Sequence, residues 1–368
     1  MAVKTIKYVY KGCIAARKAG VLGKLAGVTL LALSALLGAK AHAESEPDRL
    51  QGLIEPVKAS KPLKLGITVV HLMDNFFTGI AYGIMDEAKR SGVEVVQFSA
   101  AGNYGNVKEQ FAQLEAFKSL GVDYAVLSPA AYAGYDPVIA DLAKSGVKTI
   151  SAGIPVNSKN VTFGVLQDDF EIGTALGKAV CDDGGKGKKV IVVPGSAGLE
   201  WSRLRYEGFK EAATACGAVL TPPAFQGEMT LASGMAQTQD LLMRHQDAEY
   251  LFTPASYLAM GAAQAVRQSG RKVKVVTATM VKEEEQMIKD GRMLAVVSEP
   301  GIVMGRLIVQ YAIRQNEGMP MPNLTEPTKS VPYLHYNVPV VMVTKENVNT
   351  HPYDLYEYPP KDWRVGSR

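Results

Sequence analysis

The feature that most restricts this chain is a strict alternation of short apolar runs with amphipathic segments of helical period. An apolar run at 65–70 is followed by helical spacing over 77–91, through Ile80, Ile84 and Ala88 to a stop at Gly92. Residues 93–98 read as a strand, 106–120 as a helix with Val107, Phe111, Leu114 and Phe117 on one face, and 124–127 as a strand. A helix over 136–145 and a strand over 147–150 end the first series. After a break at 154–163 a second series runs helix 170–181, strand 189–193, helix 203–216, strand 217–220 and helix 232–245. It continues with strand 250–252, helix 257–268, strand 273–277, helix 282–290, strand 293–297, helix 301–316 and a last apolar strand over 338–343. Strands alternating with helices of roughly 10–15 residues build βαβ units on a parallel sheet.

The two series echo each other. Leu127-Ser128-Pro129-Ala130-Ala131-Tyr132 matches Phe252-Thr253-Pro254-Ala255-Ser256-Tyr257, each after an apolar strand and before a helix ending in Ser-Gly. The chain therefore reads as α/β, two doubly wound parallel-sheet lobes with a hinge and a ligand cleft. Residues 62–165 form lobe 1, completed by about 298–326; residues 166–297 form lobe 2, completed by about 327–345. An N-terminal arm (44–61) and an aromatic, proline-rich tail (346–368) flank them.

Composition narrows the class. With 47% hydrophobic and 21% charged residues over 368 positions, the chain has too many apolar residues for disorder and too few for a multi-span membrane protein. The formal charge of +4 is misleading. Residues 1–43 hold seven basic residues and no acidic one, an apolar core over 25–39, and Ala41-His42-Ala43 before Glu44. This is the pattern of a cleaved secretory signal peptide, and the run is shorter than the roughly 20 residues of a spanning helix. Beyond it 33 basic residues face 36 acidic ones, so the basic balance says nothing of nucleic acid. The expected location is the periplasm, with no span left after cleavage. Cys181 and Cys216 then lie in an oxidising compartment, as one disulfide or as two small buried thiols. His71, His245, His335 and His351 are scattered, so no metal site is expected.

In an open parallel sheet, ligands bind outside the carboxyl ends of the strands. The loops expected there pool Phe76, Phe77, Tyr132, Trp201 and Tyr257 with Asp74, Arg203 and Glu299. Aromatic faces hold methylated ammonium groups at on the order of 0.5–2 kcal/mol each; each ring could instead pack within its own lobe. Nothing catalytic is assembled. Gly184-Gly185-Lys186-Gly187 precedes a strand rather than following one, Pro194-Gly195-Ser196-Ala197-Gly198 lacks the nucleophile-elbow spacing, and no dinucleotide fingerprint follows the first strand. Neither an enzyme nor a cofactor is expected.

The loop Asp74-x-Phe76-Phe77, the Pro194-Gly195 turn and the helix opening Arg203-x-Arg205-x-Glu207-Gly208-Phe209 resemble the type I periplasmic binding proteins, over roughly residues 62–345. The resemblance implies a small ligand held between two lobes joined by three crossing strands, with Arg203 reaching the cleft and Phe76 and Phe77 stacking on the ligand. Sugar-binding members place carboxamides or carboxylates where this chain has Ala130-Ala131, Ala255-Ser256 and Thr279, and the absence of those acceptors counts against a sugar ligand. A closer resemblance is to the TorT type, which senses trimethylamine N-oxide (TMAO). It is carried by Tyr82-Gly83-Ile84-Met85-Asp86-Glu87-Ala88, Gly102-Asn103-Tyr104, Leu241-Leu242-Met243-Arg244-His245 and Ala312-Ile313-Arg314-Gln315. It implies a binding protein that closes on TMAO or a related methylated amine and signals to a membrane sensor histidine kinase. The alternative is the substrate-binding component of an ABC transporter, handing a sugar or other small solute to its permease. A repressor on the same fold would need a DNA-reading helix-turn-helix where the signal segment stands, so nucleic acid is excluded as a partner.

Overall fold

The central apolar runs become strands because their side chains are buried on both faces between helices, while the edge strands β2, β7 and β12 are only partly covered. In the computed structural model, which describes residues 48–365, lobe 1 starts with β1 (Lys64–Val69), α1 (Asn75–Ser91), β2 (Glu94–Ala100), α2 (Val107–Ser119) and β3 (Tyr124–Leu127). It goes on through α3 (Asp136–Lys144), β4 (Lys148–Gly153) and β5 (Phe163–Leu166). Lobe 2 runs α4 (Asp169–Asp182), β6 (Lys189–Val192), α5 (Glu200–Ala215), β7 (Val219–Leu220), α6 (Leu231–Arg244), β8 (Ala248–Phe252), α7 (Ser256–Gln268), β9 (Lys274–Ala278), α8 (Lys282–Lys289) and β10 (Met293–Ser298). The chain returns by α9 (Gly301–Glu317), β11 (His335–Asn337) and β12 (Val341–Thr344), and adds a short α10 (Tyr353–Tyr356). The segment read as a signal peptide lies outside the described residues.

Sheet order is β11-β5-β4-β3-β1-β2 in lobe 1 and β12-β10-β9-β8-β6-β7 in lobe 2. Read strand for strand, the two orders are the same, which is the structural form of the repeated sequence unit. All pairs are parallel except β10 with β12.

Two sequence expectations need correction. The expected break holds over residues 154–162, but a strand not expected from the sequence, β5, follows it at Phe163 and pairs with both β4 and β11. Four residues, one of them Gly164, are too short for alternation to show. The strand expected over 338–343 begins only at Val341, as β12 of the second sheet, and is preceded by an unexpected strand, β11 (His335–Asn337), which joins the first sheet. Pro339 has no N–H to give to a ladder, so pairing stops there and the chain crosses between sheets. The return to lobe 1 thus extends to Asn337, past the expected limit of about 326.

Helix α9 is buried along almost its whole length against α1 and the first sheet. The arm lies along it, with Val57 N–H donating to Gln310 Oε1 at 2.8 Å and Arg314 donating to the Glu55 carbonyl at 2.7 Å. The tail touches both lobes. Glu357 accepts from Ser298 at the end of β10 and lies 3.2 Å from His351 Nε2, while Trp363 packs edge-on against Tyr82 of α1.

The open question of the cysteines is answered by a Cys181–Cys216 disulfide tying the end of α4 to the end of α5, 35 residues apart. Closing a loop of that length is worth on the order of 2–4 kcal/mol. Urea unfolding of Cys181→Ser/Cys216→Ser is expected to show a loss in that range, with no further effect of reductant. A loss below about 1 kcal/mol would mean that packing of α4 on α5 makes the bridge redundant.

Candidate ligand-binding site

The carboxyl ends of both sheets face each other across a cavity of about 220 Å³. That is below the roughly 300–1,000 Å³ of sites for drug-sized ligands, so the cavity suits a small solute. From lobe 1, the loop after β1 supplies His71, Asp74, Phe76 and Phe77, and the loop after β2 supplies Tyr104. From lobe 2, the start of α5 supplies Trp201 and Arg205, α7 supplies Tyr257, and the ends of β9 and β10 supply Thr279 and Glu299.

Asp74 caps α1: its Oδ1 accepts from Phe77 N–H at 2.9 Å, a residue type and geometry favoured at a helix start. Burial lifts its carboxyl to about 7 despite that bond. Burial likewise holds His71 near 4, so its ring is neutral; it packs edge-on to Phe77 at 4.9 Å. Phe76 and Phe77 meet at 5.1 Å. Across the cleft, Tyr104 tilts against Trp201 at 6.0 Å, and Asn75 donates to the Met280 carbonyl at 3.1 Å. These contacts join the lobes around the cavity.

On the opposite wall Arg205 is 2% exposed. Its Nε donates to Asp169 at 2.9 Å, its Nη1 to the Pro254 carbonyl at 2.8 Å, and it pairs with Glu299 at 2.6 Å. Its guanidinium also lies over the Trp201 ring, 5.0 Å from the centroid. Glu299 takes a further hydrogen bond from Thr279 Oγ1 at 3.0 Å. Thr279 holds φ at +69°, a left-handed conformation that costs a β-branched residue about 1–3 kcal/mol. The Ser256 hydroxyl donates to its carbonyl and helps hold that turn.

Six of the expected site residues line this cavity: Asp74, Phe76, Phe77, Trp201, Tyr257 and Glu299. Two do not. Arg203 is exposed and pairs with Glu200 at 2.7 Å on the outer side of α5. Positions 203 and 205 differ by about 200° around a helix of 3.6 residues per turn, so only one of them can face inward. The inward one is Arg205, four residues and one turn after Trp201. That spacing was the available signal, because the tryptophan already marked the inner face. Tyr132 lines an adjoining, more open cavity of about 470 Å³, with its hydroxyl donating to the Ser330 carbonyl at 2.9 Å. It does not oppose Tyr257 in a single cage. The repeat breaks at this point: Tyr257 is the second residue of α7, whereas α3 begins only at Asp136, four residues after Tyr132.

Sequence reasoning missed Tyr104, Gln167 and the carboxylate partner Asp169. Gln167 and Asp169 sit just beyond β5, the strand that was not recognised. Four side chains lining the cavity each carry a buried polar atom with no hydrogen-bond partner in the protein: His71 Nδ1, Gln167 Oε1, Trp201 Nε1 and Tyr257 Oη. Buried polar groups left so cost on the order of 1–3 kcal/mol each. Among the described residues no His, Cys, Asp and Glu group has the arrangement of a metal site, and no helix is long and apolar enough to cross a membrane.

Known proteins share this architecture. The family described as "Periplasmic binding protein domain" matches residues 65–319. The crystal structure of a sugar ABC transport system substrate-binding protein from Bordetella parapertussis 12822 is 71% identical, superposes with a TM-score of 0.85, and covers 86% of this chain and 100% of that one. The ribose import binding protein RbsB of Bacillus subtilis (strain 168) is 25% identical over 267 residues, 70% of this chain and 86% of RbsB. The periplasmic protein TorT of Escherichia coli (strain K12) is also 25% identical, over 299 residues, 80% of this chain and 81% of TorT. With its two like-wound lobes and the cleft between them, the chain belongs to the periplasmic binding protein family, with the type I fold.

Proposed function

We propose that this protein captures a small hydroxylated solute of the sugar class and delivers it to an ABC permease. The observation that carries the reading is the set of four unpartnered polar atoms around the cavity. Trp201 Nε1 can only donate and Gln167 Oε1 can only accept, while Tyr257 does either. A ligand that satisfies them must offer acceptors and donors together, as hydroxyl groups do. The carboxylates of Asp74 and Glu299 add acceptors of the planar kind that hydroxyls prefer. The sugar-transport role named for the 71% identical Bordetella parapertussis protein supports the same direction.

A second reading is TMAO or a related methylated amine, with signalling to a membrane sensor kinase. It is favoured by the aromatic wall of Phe76, Phe77, Tyr104, Trp201 and Tyr257, whose faces suit methyl groups on a cationic nitrogen. It is the weaker reading: TMAO has one oxide acceptor and no donor, so it would serve Trp201 and leave Gln167 unpaired.

Calorimetry against pentoses, hexoses, amino sugars, TMAO, betaine and choline separates the two. The expected result is heat from one of the sugars and none from TMAO. Binding of TMAO with silence from every sugar would replace the first reading by the second.

A further inference from the structure

We infer that the solute carries a protonated amine, seated against the Asp74 carboxylate. The inference deepens the sugar reading and rests on it, with an amino sugar as the ligand class. Three carboxylates gather around the cavity, two lining it (Asp74 and Glu299) and one just behind (Asp169). Among the described residues the only cationic side chain lining the cavity is Arg205, which is committed to Asp169 and Glu299 on the lobe 2 side. His71 is neutral and its Nδ1 stands 3.9 Å from Asp74, beyond a hydrogen bond.

Asp74 is therefore a carboxylate with no cation of its own, 9% exposed, on the lobe 1 wall. The N-terminus of α1 offsets part of its charge, about half a unit by the helix dipole. Burial raises the group to about 7 all the same, so near neutral pH it is only partly ionised, and a cation seated beside it would hold it as the carboxylate. A second, independent feature points to a ligand bearing donors: Gln167, 4% exposed and lining the same cavity, carries an unpartnered acceptor, Oε1. An ammonium brings three donors and the missing positive charge.

The test is calorimetry of the purified protein at pH 7 with D-glucosamine and D-galactosamine, each against its neutral parent and its N-acetyl form. The amine is expected to bind at least about ten-fold tighter than either neutral form. Asp74→Asn, which keeps the helix cap because asparagine caps as well as aspartate, is expected to erase that preference. Equal or tighter binding of a neutral parent overturns the amine while the sugar reading stands. A preference that survives Asp74→Asn overturns the assignment to this carboxylate. Silence from all six sugars while TMAO gives heat overturns both readings.

Discussion

Arg205→Ala is expected to abolish measurable solute binding and to destabilise the protein by about 3–5 kcal/mol. The guanidinium bridges Asp169 and Glu299, all three groups being nearly inaccessible to water. Removing it leaves two buried carboxylates facing each other, and breaking a buried ion pair from one side costs that much because the remaining charge is uncompensated. It also removes the cation that lies over Trp201 and frees the Pro254 carbonyl. The deficit is expected to depend on pH in a definite direction. The orphaned carboxyls will have folded-state values above their unfolded ones, so the native variant binds more protons and its stability falls as pH rises. Urea unfolding should therefore show a larger loss at pH 8 than at pH 5. Arg203→Ala is the control: two positions away, exposed and paired only with Glu200, it is expected to change stability by less than about 0.5 kcal/mol and binding not at all. Equal effects of the two substitutions would mean that α5 is rotated in solution relative to the structure described.

Gly173→Val is expected to lower stability by about 3 kcal/mol or more and to weaken binding, although residue 173 does not line the cavity. Helices α4 and α5 lie so close that a Cβ on Gly173 would stand 1.9 Å from the Arg205 carbonyl oxygen. A Cβ on Gly208 would stand 2.0 Å from the Phe170 carbonyl oxygen. Neither neighbour is a side chain that can swing aside. Overpacking of a tight contact costs about 1–3 kcal/mol and more where backbone must move. The segment displaced is the one that carries Trp201 and Arg205, so the packing defect reaches the cleft. Lys178→Ala on the exposed face of α4 is expected to be neutral within about 0.5 kcal/mol. Thermal unfolding with and without ligand would check both parts. An unchanged affinity in a destabilised Gly173→Val would show that the start of α5 holds its position independently of α4.

Strand β3 falls on the expected residues 124–127, and α3, α6 and α7 begin and end within a residue of expectation. Buried parallel strands and amphipathic helices carry their own periodicity, so a window of about a dozen residues suffices to recognise them. The elements misread were those whose identity depends on partners. The four residues of β5 are a strand because β4 and β11 lie on either side of them. The segment on either side of Pro339 is split because two sheets, not one, compete for its backbone. In the site, the loop positions of Asp74, Phe76, Phe77 and Glu299 followed from the rule that strand ends face the cleft.

What the sequence by itself determined is local and periodic: two like-wound α/β lobes, their helices and strands, and the loops that meet at the cleft. Tertiary structure alone decided which side chain of each loop turns inward and what it meets. Arg205 rather than Arg203 enters the cleft because α5 is clamped in phase against α4 through Gly173 and Gly208. Tyr132 is turned toward the Ser330 carbonyl because α3 begins five residues later, relative to its tyrosine, than its counterpart in lobe 2. The surplus of carboxylates exists only once residues 74, 169 and 299, from three separate loops, are brought to one cavity. Charge and hydrogen-bond balance are sums over neighbours in space, and a sequence orders its residues along one dimension only.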